Sequence, residues 1–424
     1  MKTRTKEPQI LPRSAHTISR RLIDPDALKV LYRLQRNGFK AYLVGGAVRD
    51  LLLGKKPKDF DVATDARPGQ VKKLFANCFL IGRRFRLAHI RFRGGKIIEV
   101  ATFRREPEEI AEPEADKNNT FGTPDEDAFR RDITINALFY DISNFSIIDY
   151  VGGLDDISRK RVCIIGDPSE RYAEDPVRIR RVLRYAARQN FAIEEETGRA
   201  IRSQRELLAT SSGSRLFEEL NKDLSSGHAA PFFRLAASYG MLPVILGDIG
   251  RRMEQTDGMT ETLLGLLDIL DKAVRRGDAL SQDVSYSIFF WPWVQQVLQE
   301  KGTLPGDKVT LLTDEFVASK MPIIVPKTVR SNVIHTLYIL ERMMNALRTG
   351  RMKWTLKKRA SYSDAATLFS LLEHGHIKPG SDPFAEAFRA KFAEQGQKVN
   401  GDVRRKRRHR RRKSAPPQPV PNAL

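Results

Sequence analysis

The sequence predicts an α+β protein: an N-terminal head with a small mixed β-sheet, then all-helical neck and body parts, then a disordered basic tail. Three observations predict it. Helix-period and strand-period segments alternate from Asp24 to about Tyr150; strand signals nearly vanish from about Pro168 onward; and the charge concentrates in an Arg-rich run near the C-terminus. At 424 residues the chain is too long for one core, so several domains are expected.

Taken in order, residues 1–20 are polar and basic and read as a disordered, mobile leader. The head is expected over 21–155. It opens with a helix from Pro25 to Asn37, an apolar strand (Tyr42 to Val44), the Gly45-Gly46 turn, a short helix (Ala47 to Leu53) and a stop at Gly54. A strand from Asp59 to Ala63, a helix from Pro68 to Phe75, and strands around Ala88–Phe92 and Lys96–Phe103 follow, with Gly94-Gly95 as the hairpin signal. Glu106 to Asp127 is acidic and rich in Pro, Asn and Gly, and is read as a flexible loop over the site. Beyond it we expect a helical neck over 156–235, a helical body over 236–395 and a tail over 396–424. The aromatic cluster Phe289, Phe290, Trp291 and Trp293 fits a helical core better than a base-stacking surface.

Composition narrows the classes. No apolar run is long enough to span a bilayer, and the N-terminus lacks the apolar stretch of a secretory signal, so a cytoplasmic protein is expected. Cys78 and Cys163, with no Cys-x-x-Cys and no Cys/His cluster, read as two packed, reduced thiols. The formal charge is +21. The run Arg404, Arg405, Lys406, Arg407, Arg408, His409, Arg410, Arg411, Arg412, Lys413 holds nine Lys or Arg, less than half of that excess. Such a block repels itself into an extended arm, and its natural partner is a polyanion; with nothing apolar beside it, nucleic acid is favoured over a membrane.

The chemistry-bearing residues gather around Asp59 and Asp61. Side chains alternate along a strand, so these two carboxylates are expected on one face while Phe60 turns into the core. Clustered oxygens suit hard divalent cations. Beside the glycine turn and Arg49, such a pair could hold Mg²⁺ against a triphosphate. Taken alone, an Asp-x-Asp is more often a solvated strand end, and the conjunction with the glycines and the short helix is what raises its weight. A third carboxylate has two candidates, Glu99 in an apolar strand and Asp132 in Arg130-Arg131-Asp132-Ile133-Thr134-Ile135-Asn136, and spacing does not choose between them. There Arg131 could meet phosphate and Asn136 could bond a sugar or fix the backbone. Farther on, Glu174, Arg178, Arg181 and Tyr185 are expected on one helix face, able to read a base edge; the competing account is a solvent-exposed Glu-to-Arg pair worth about 0.3 to 0.5 kcal/mol. His89, among apolar strand residues, reads as a packed, hydrogen-bonded core histidine.

Together these segments resemble the class II nucleotidyltransferases, the superfamily of bacterial poly(A) polymerases and CCA-adding enzymes. The matching pieces are Leu43-Val44-Gly45-Gly46-Ala47-Val48-Arg49-Asp50, Lys58-Asp59-Phe60-Asp61-Val62-Ala63-Thr64, Arg131-Asp132-Ile133-Thr134-Ile135-Asn136-Ala137 and Glu174-Asp175-Pro176-Val177-Arg178. The stretch Leu80-Ile81-Gly82-Arg83-Arg84-Phe85-Arg86-Leu87-Ala88-His89-Ile90, with Ser214-Arg215-Leu216-Phe217-Glu218-Glu219 and the Arg-rich end, looks closer to the bacterial poly(A) polymerases. The resemblance implies AMP transfer from ATP to RNA 3′ ends without a template, through two Mg²⁺ or Mn²⁺ ions held by Asp59 and Asp61. It implies catalytic roles for Asp132 and Glu99, phosphate contacts for Gly45, Gly46 and Arg49, and adenine contacts for Asp175 and Arg178. Proteins of RNA decay are implied as partners. The rival expectation is CCA addition to tRNA; a non-catalytic RNA-binding protein is the third.

Overall fold

The computed structural model describes residues 7–82, 87–105, 121–301, 308–377 and 382–393. The Arg-rich run at 404–413, residues 83–86 and the 106–120 part of the expected loop lie outside the described residues.

The head is built on one eight-stranded sheet. Its strands are β1 (Gln9–Leu11), β2 (Ala41–Val44), β3 (Asp61–Thr64), β4 (Cys78–Ile81), β5 (Leu87–Arg91), β6 (Ile97–Thr102), β7 (Leu138–Asp141) and β8 (Ile147–Asp149), in the order β1-β8-β7-β2-β3-β6-β5-β4. Only the β3–β6 pair is parallel, so the sheet is mixed as the pattern predicted. Apolar residues of one face, among them Val62, Ala88, Ile90, Ile98 and Val100, pack on α1 (Pro25–Arg36) and α3 (Pro68–Leu74). Asp24 caps α1 by accepting the Asp26 N–H at 2.8 Å, and Pro25 fits the first turn because it has no N–H to satisfy. The short α2 (Gly46–Leu52) follows Gly45, whose φ of +71° only glycine adopts readily.

Two expectations are corrected here. The leader is not mobile throughout: β1 pairs antiparallel with β8, His16 Nε2 lies 2.8 Å from the Phe145 carbonyl, and Ile18 is fully buried. A strand of only three residues, Gln9-Ile10-Leu11, gives no readable period, and its partner is more than a hundred residues away. Likewise the end of the expected loop is ordered, since Thr123 and Glu126 form a capping box for α4 (Pro124–Arg130).

Past α5 (Gly153–Ser158) the regular structure of the described residues is helical apart from β9 (Arg161–Val162) and β10 (Ala192–Ile193), a two-residue parallel pair the sequence did not signal. There follow α6 (Pro168–Glu174), α7 (Val177–Gln189), α8 (Glu195–Gln204) and α9 (Gly213–Leu224), then further helices through Pro383–Ala393. One large core runs through them and takes in Ile133 and Ile135 from the end of the head, which seats the helical part on the sheet. Phe289, Phe290, Trp291 and Trp293 are buried in that core, as expected. Both cysteines are free and buried. No described helix is long and apolar enough to cross a membrane.

Candidate active site

The site starts at β3. The strand begins at Asp61, so Asp59 lies just ahead of it rather than on it, and the shared-face argument holds for Asp61 alone. Asp59 is nonetheless close enough for its charge to act on Asp61. Phe60 turns toward the head core. In the parallel β3–β6 ladder Asp61 stands opposite Glu99, which places that acid, not Asp132, beside the strand carboxylate. Asp61 keeps exposed surface at the strand end, yet the protein packed around it and then the charge of Glu99 push its carboxyl up to about 6; Arg131 pulls it back down, and Asp59 adds a further push.

His89 is the opposite number of Glu99 on β5, its Nε2 3.3 Å from Glu99 Oε1. The polar partner expected of a packed histidine is thus this acid, a pairing that register sets and sequence spacing conceals.

The donor set fits a divalent cation. Like charges crowd Asp61, and a cation between the acids would offset that repulsion. Among the described residues no three acidic, His or Cys side chains already stand as a closed cation cage. Mg²⁺ in nucleotide sites commonly uses one or two carboxylates and takes its remaining oxygens from phosphates and water.

Around the acids the basic residues are unequal. Arg49 is 1% exposed and spent on Asp50, with Nε and a terminal nitrogen 2.9 and 2.7 Å from Oδ1. It also bonds the Asn136 side chain and lies over the Tyr185 ring at 5.2 Å. That geometry makes it a buried strut, and the phosphate contact expected of it is not what the fold provides. Asn136 correspondingly fixes Arg49 through its side chain and Arg131 through its carbonyl, 3.3 Å away. Arg131 is the cation near the acids: it lies over the Gly45 turn, where a Cβ would come within 3.3 Å of its guanidinium, and is held by Asp127 at 2.9 Å. At Gly46 a Cβ would come within 3.5 Å of the Arg49 guanidinium. Sequence reasoning misses Asp127 because its segment reads as loop.

Asp132 faces the helical part. It bridges Arg178 (3.2 Å) and Arg181 (2.6 Å), both on α7. Glu174 ends α6, and Asp175-Pro176 break the helix before α7, so the expected continuous face is two helices joined at a corner. Glu174 still accepts from Arg178 at 2.7 Å, and also from Arg171 at 2.9 Å. Asp175 is gripped by Arg215 of α9 through two bonds of 2.9 and 2.8 Å. Sequence reasoning misses this role of Arg215 as well, because a partner 40 residues away leaves no local signal. Arg171 donates to the carbonyls of Arg130 and Arg131 at 3.0 and 3.3 Å, stapling α6 to the head. Arg131 and Asp132, adjacent in the chain, thus link the acids of the sheet to the arginines of α7.

Residues 41–163 match the family described as "Poly A polymerase head domain", and residues 190–250 that described as "Probable RNA and SrmB- binding site of polymerase A". The chain is 39% identical to "Poly(A) polymerase I" of Salmonella typhi, over 86% of this chain and 81% of that protein, and 38% identical to "Poly(A) polymerase I" of Escherichia coli O157:H7, over 85% and 81%. It is 37% identical to a "CCA-adding enzyme" of Bacillus pumilus over 58% of this chain and 63% of the relative. Its fold is also that of a Bacillus stearothermophilus CCA-adding enzyme crystallised with CTP, at a TM-score of 0.63, 24% identity, and coverage of 88% and 83%. By its identity to the poly(A) polymerases over nearly the whole of both chains, this protein belongs to the bacterial poly(A) polymerase I family of nucleotidyltransferases.

Proposed function

We propose that the chain is a template-independent RNA adenylyltransferase that transfers AMP from ATP to RNA 3′ ends and releases pyrophosphate. The observation that carries this reading is the Asp61–Glu99 pair, in register on neighbouring strands with Arg131 beside it, in a chain of this family. Asp59 and Asp61 would hold the divalent cations, Mg²⁺ or Mn²⁺, with Glu99 completing the acidic set. Bound there, the ions would lower the pKa of the RNA 3′-hydroxyl and neutralise charge on the triphosphate. Arg131, beside the acids and over the Gly45 turn, is the residue of this chain poised to meet the phosphates. Asp132 acts as a positioning residue: its two ion pairs fix Arg178 and Arg181, the donors we assign to the base edge, as Arg215 fixes Asp175 and as Arg171 and Arg178 fix Glu174. Protein groups in one setting replace a template.

RNA is the partner, and the helical parts over 156–235 and 236–395 are assigned to holding it. Work in the cytoplasm alongside RNA-decay proteins extends the same reading. CCA addition is the second reading, favoured by the likeness to the CTP-bound fold. Incubation of an unstructured RNA oligomer with single nucleotides separates the two: long tails with ATP alone support adenylation, and a bounded addition requiring CTP overturns it. Within that assay Asp61→Asn abolishes incorporation while RNA retention stays near wild type; equal activity in the variant removes the mechanism.

A further inference from the structure

The sheet face that carries the acids continues to the edge of the head. Cys78, Ala88, Ile90, Ile98, Val100 and Val62 are buried in the head core, so their neighbours along β4, β5, β6 and β3 point the other way. One residue from each strand lines up there. Phe79 stands opposite His89, His89 opposite Glu99, and Glu99 opposite Asp61. At about 4.8 Å between strands, three spacings carry the row roughly 14 Å from Asp61 to Phe79.

The outer end of that row is apolar and open. Phe79 is 49% exposed on β4, the last strand of the sheet, with Ile81 of the same strand also exposed. The Arg91 guanidinium carbon lies 4.5 Å from the Phe79 ring centre. An Arg stacked on one side of an aromatic ring fixes the ring and keeps cationic charge at its margin, while about half of the residue stays open. An exposed ring with a cation beside it is the pairing that single-stranded nucleic acid uses, the ring for a base and the cation for its phosphate.

We propose that this row is a primer subsite: the RNA 3′-hydroxyl lies at Asp61, the strand runs outward over Glu99 and His89, and a base a few nucleotides upstream stacks on Phe79 with Arg91 at the adjoining phosphate. The proposal rests on the adenylyltransferase reading, which requires an RNA end at Asp61. Continuity of the row with that acid, and the cation at its far end, favour RNA over a protein strand added to the β4 edge. His89 spans the middle of the path and keeps Glu99 in place.

The test uses the full chain and oligo(A) primers of two to ten nucleotides. In Phe79→Ser the primer KM rises about five- to tenfold for the longer primers, the lower end of what base stacking on an aromatic contributes, while kcat and the KM for ATP stay at wild-type values. The difference disappears for dinucleotides, which cannot span the row. Phe79→Trp keeps the wild-type KM, and Arg91→Gln lowers the salt slope of primer binding by about 0.7. Three results overturn the subsite: a primer KM unchanged at every length, as expected if the edge takes a protein strand instead; an equal loss on dinucleotides and long primers; or a raised KM for ATP in place of primer. Affinity for the same oligomers measured without ATP makes the same comparison. A wild-type chain that binds RNA but adds no AMP would thus sink the adenylyltransferase reading while leaving the subsite to stand or fall on binding.

Discussion

Replacing Asp223 by Asn should unseat α7, the helix that carries the arginines we assign to the base edge. Arg180 of α7 and Asp223 of α9 are both fully buried and paired with each other; Arg184, one turn along α7, also binds Asp223 and reaches Glu219 at 2.6 Å. Two of the three Arg180 guanidinium nitrogens have no hydrogen-bond acceptor among the described residues, so Asp223 supplies the whole of its charge compensation there. Asn keeps the shape and removes the charge. Leaving a buried guanidinium uncompensated costs about 3 to 5 kcal/mol, against a usual total stability of about 5 to 15 kcal/mol. At about 2 to 4 °C per kcal/mol for a unit of 150–250 residues, melting should fall by roughly 6 to 20 °C. Calorimetry or circular dichroism reads this, and below the transition the KM for ATP should rise, since Arg178 and Arg181 sit on the same helix. The double variant Arg180→Met/Asp223→Leu should recover most of the loss, because a packed apolar pair removes the unmet charge. A melting temperature for Asp223→Asn within about 2 °C of wild type would refute the reasoning.

Acid should weaken the same region. Burial by itself would raise the Glu219 carboxyl, but Arg184 and Lys222 outweigh it and hold it at about 2, below the ordinary 4.5. A carboxyl lowered on folding contributes fully above its unfolded value, and that contribution is lost as pH falls from about 4.5 toward 2; Glu219→Gln should flatten the melting profile across this window, and an unchanged profile counts against the assignment. Ile18→Ala should cost about 2 to 5 kcal/mol in urea titration, as for any fully buried isoleucine, whereas a mobile leader would lose less than about 0.5 kcal/mol. Deleting residues 404–413 should weaken RNA binding and reduce its salt slope by about 0.7 for each phosphate no longer neutralised; an unaltered slope would show that the run is no phosphate-binding arm.

What the sequence disclosed was whatever chemistry repeats locally. Strand and helix periods, the Gly45 turn and the proline-led helices were legible because each is set by residues a few positions apart. Glu99 and Asp132 could not be separated that way: only the β3–β6 register shows that Glu99 joins Asp61 while Asp132 turns to α7. The same holds for His89 and for Arg215, whose partners come from other strands or from 40 residues away. Arg49 misled for a different reason. A cation next to a glycine turn looks free to meet phosphate until its neighbour Asp50 is seen to fold back on it.

The clasp between the head and the helices also bears on how such a chain can change over generations. Arg171 holds the carbonyls of Arg130 and Arg131, and Arg178 and Arg181 hold Asp132, so the segment behind the acids and the helix carrying Arg178 and Arg181 are tied at several points. A lone substitution that retuned nucleotide choice at this joint would disturb the acids' surroundings too. Shifts in preference should therefore arise as compensating pairs across the joint, or at positions outside it.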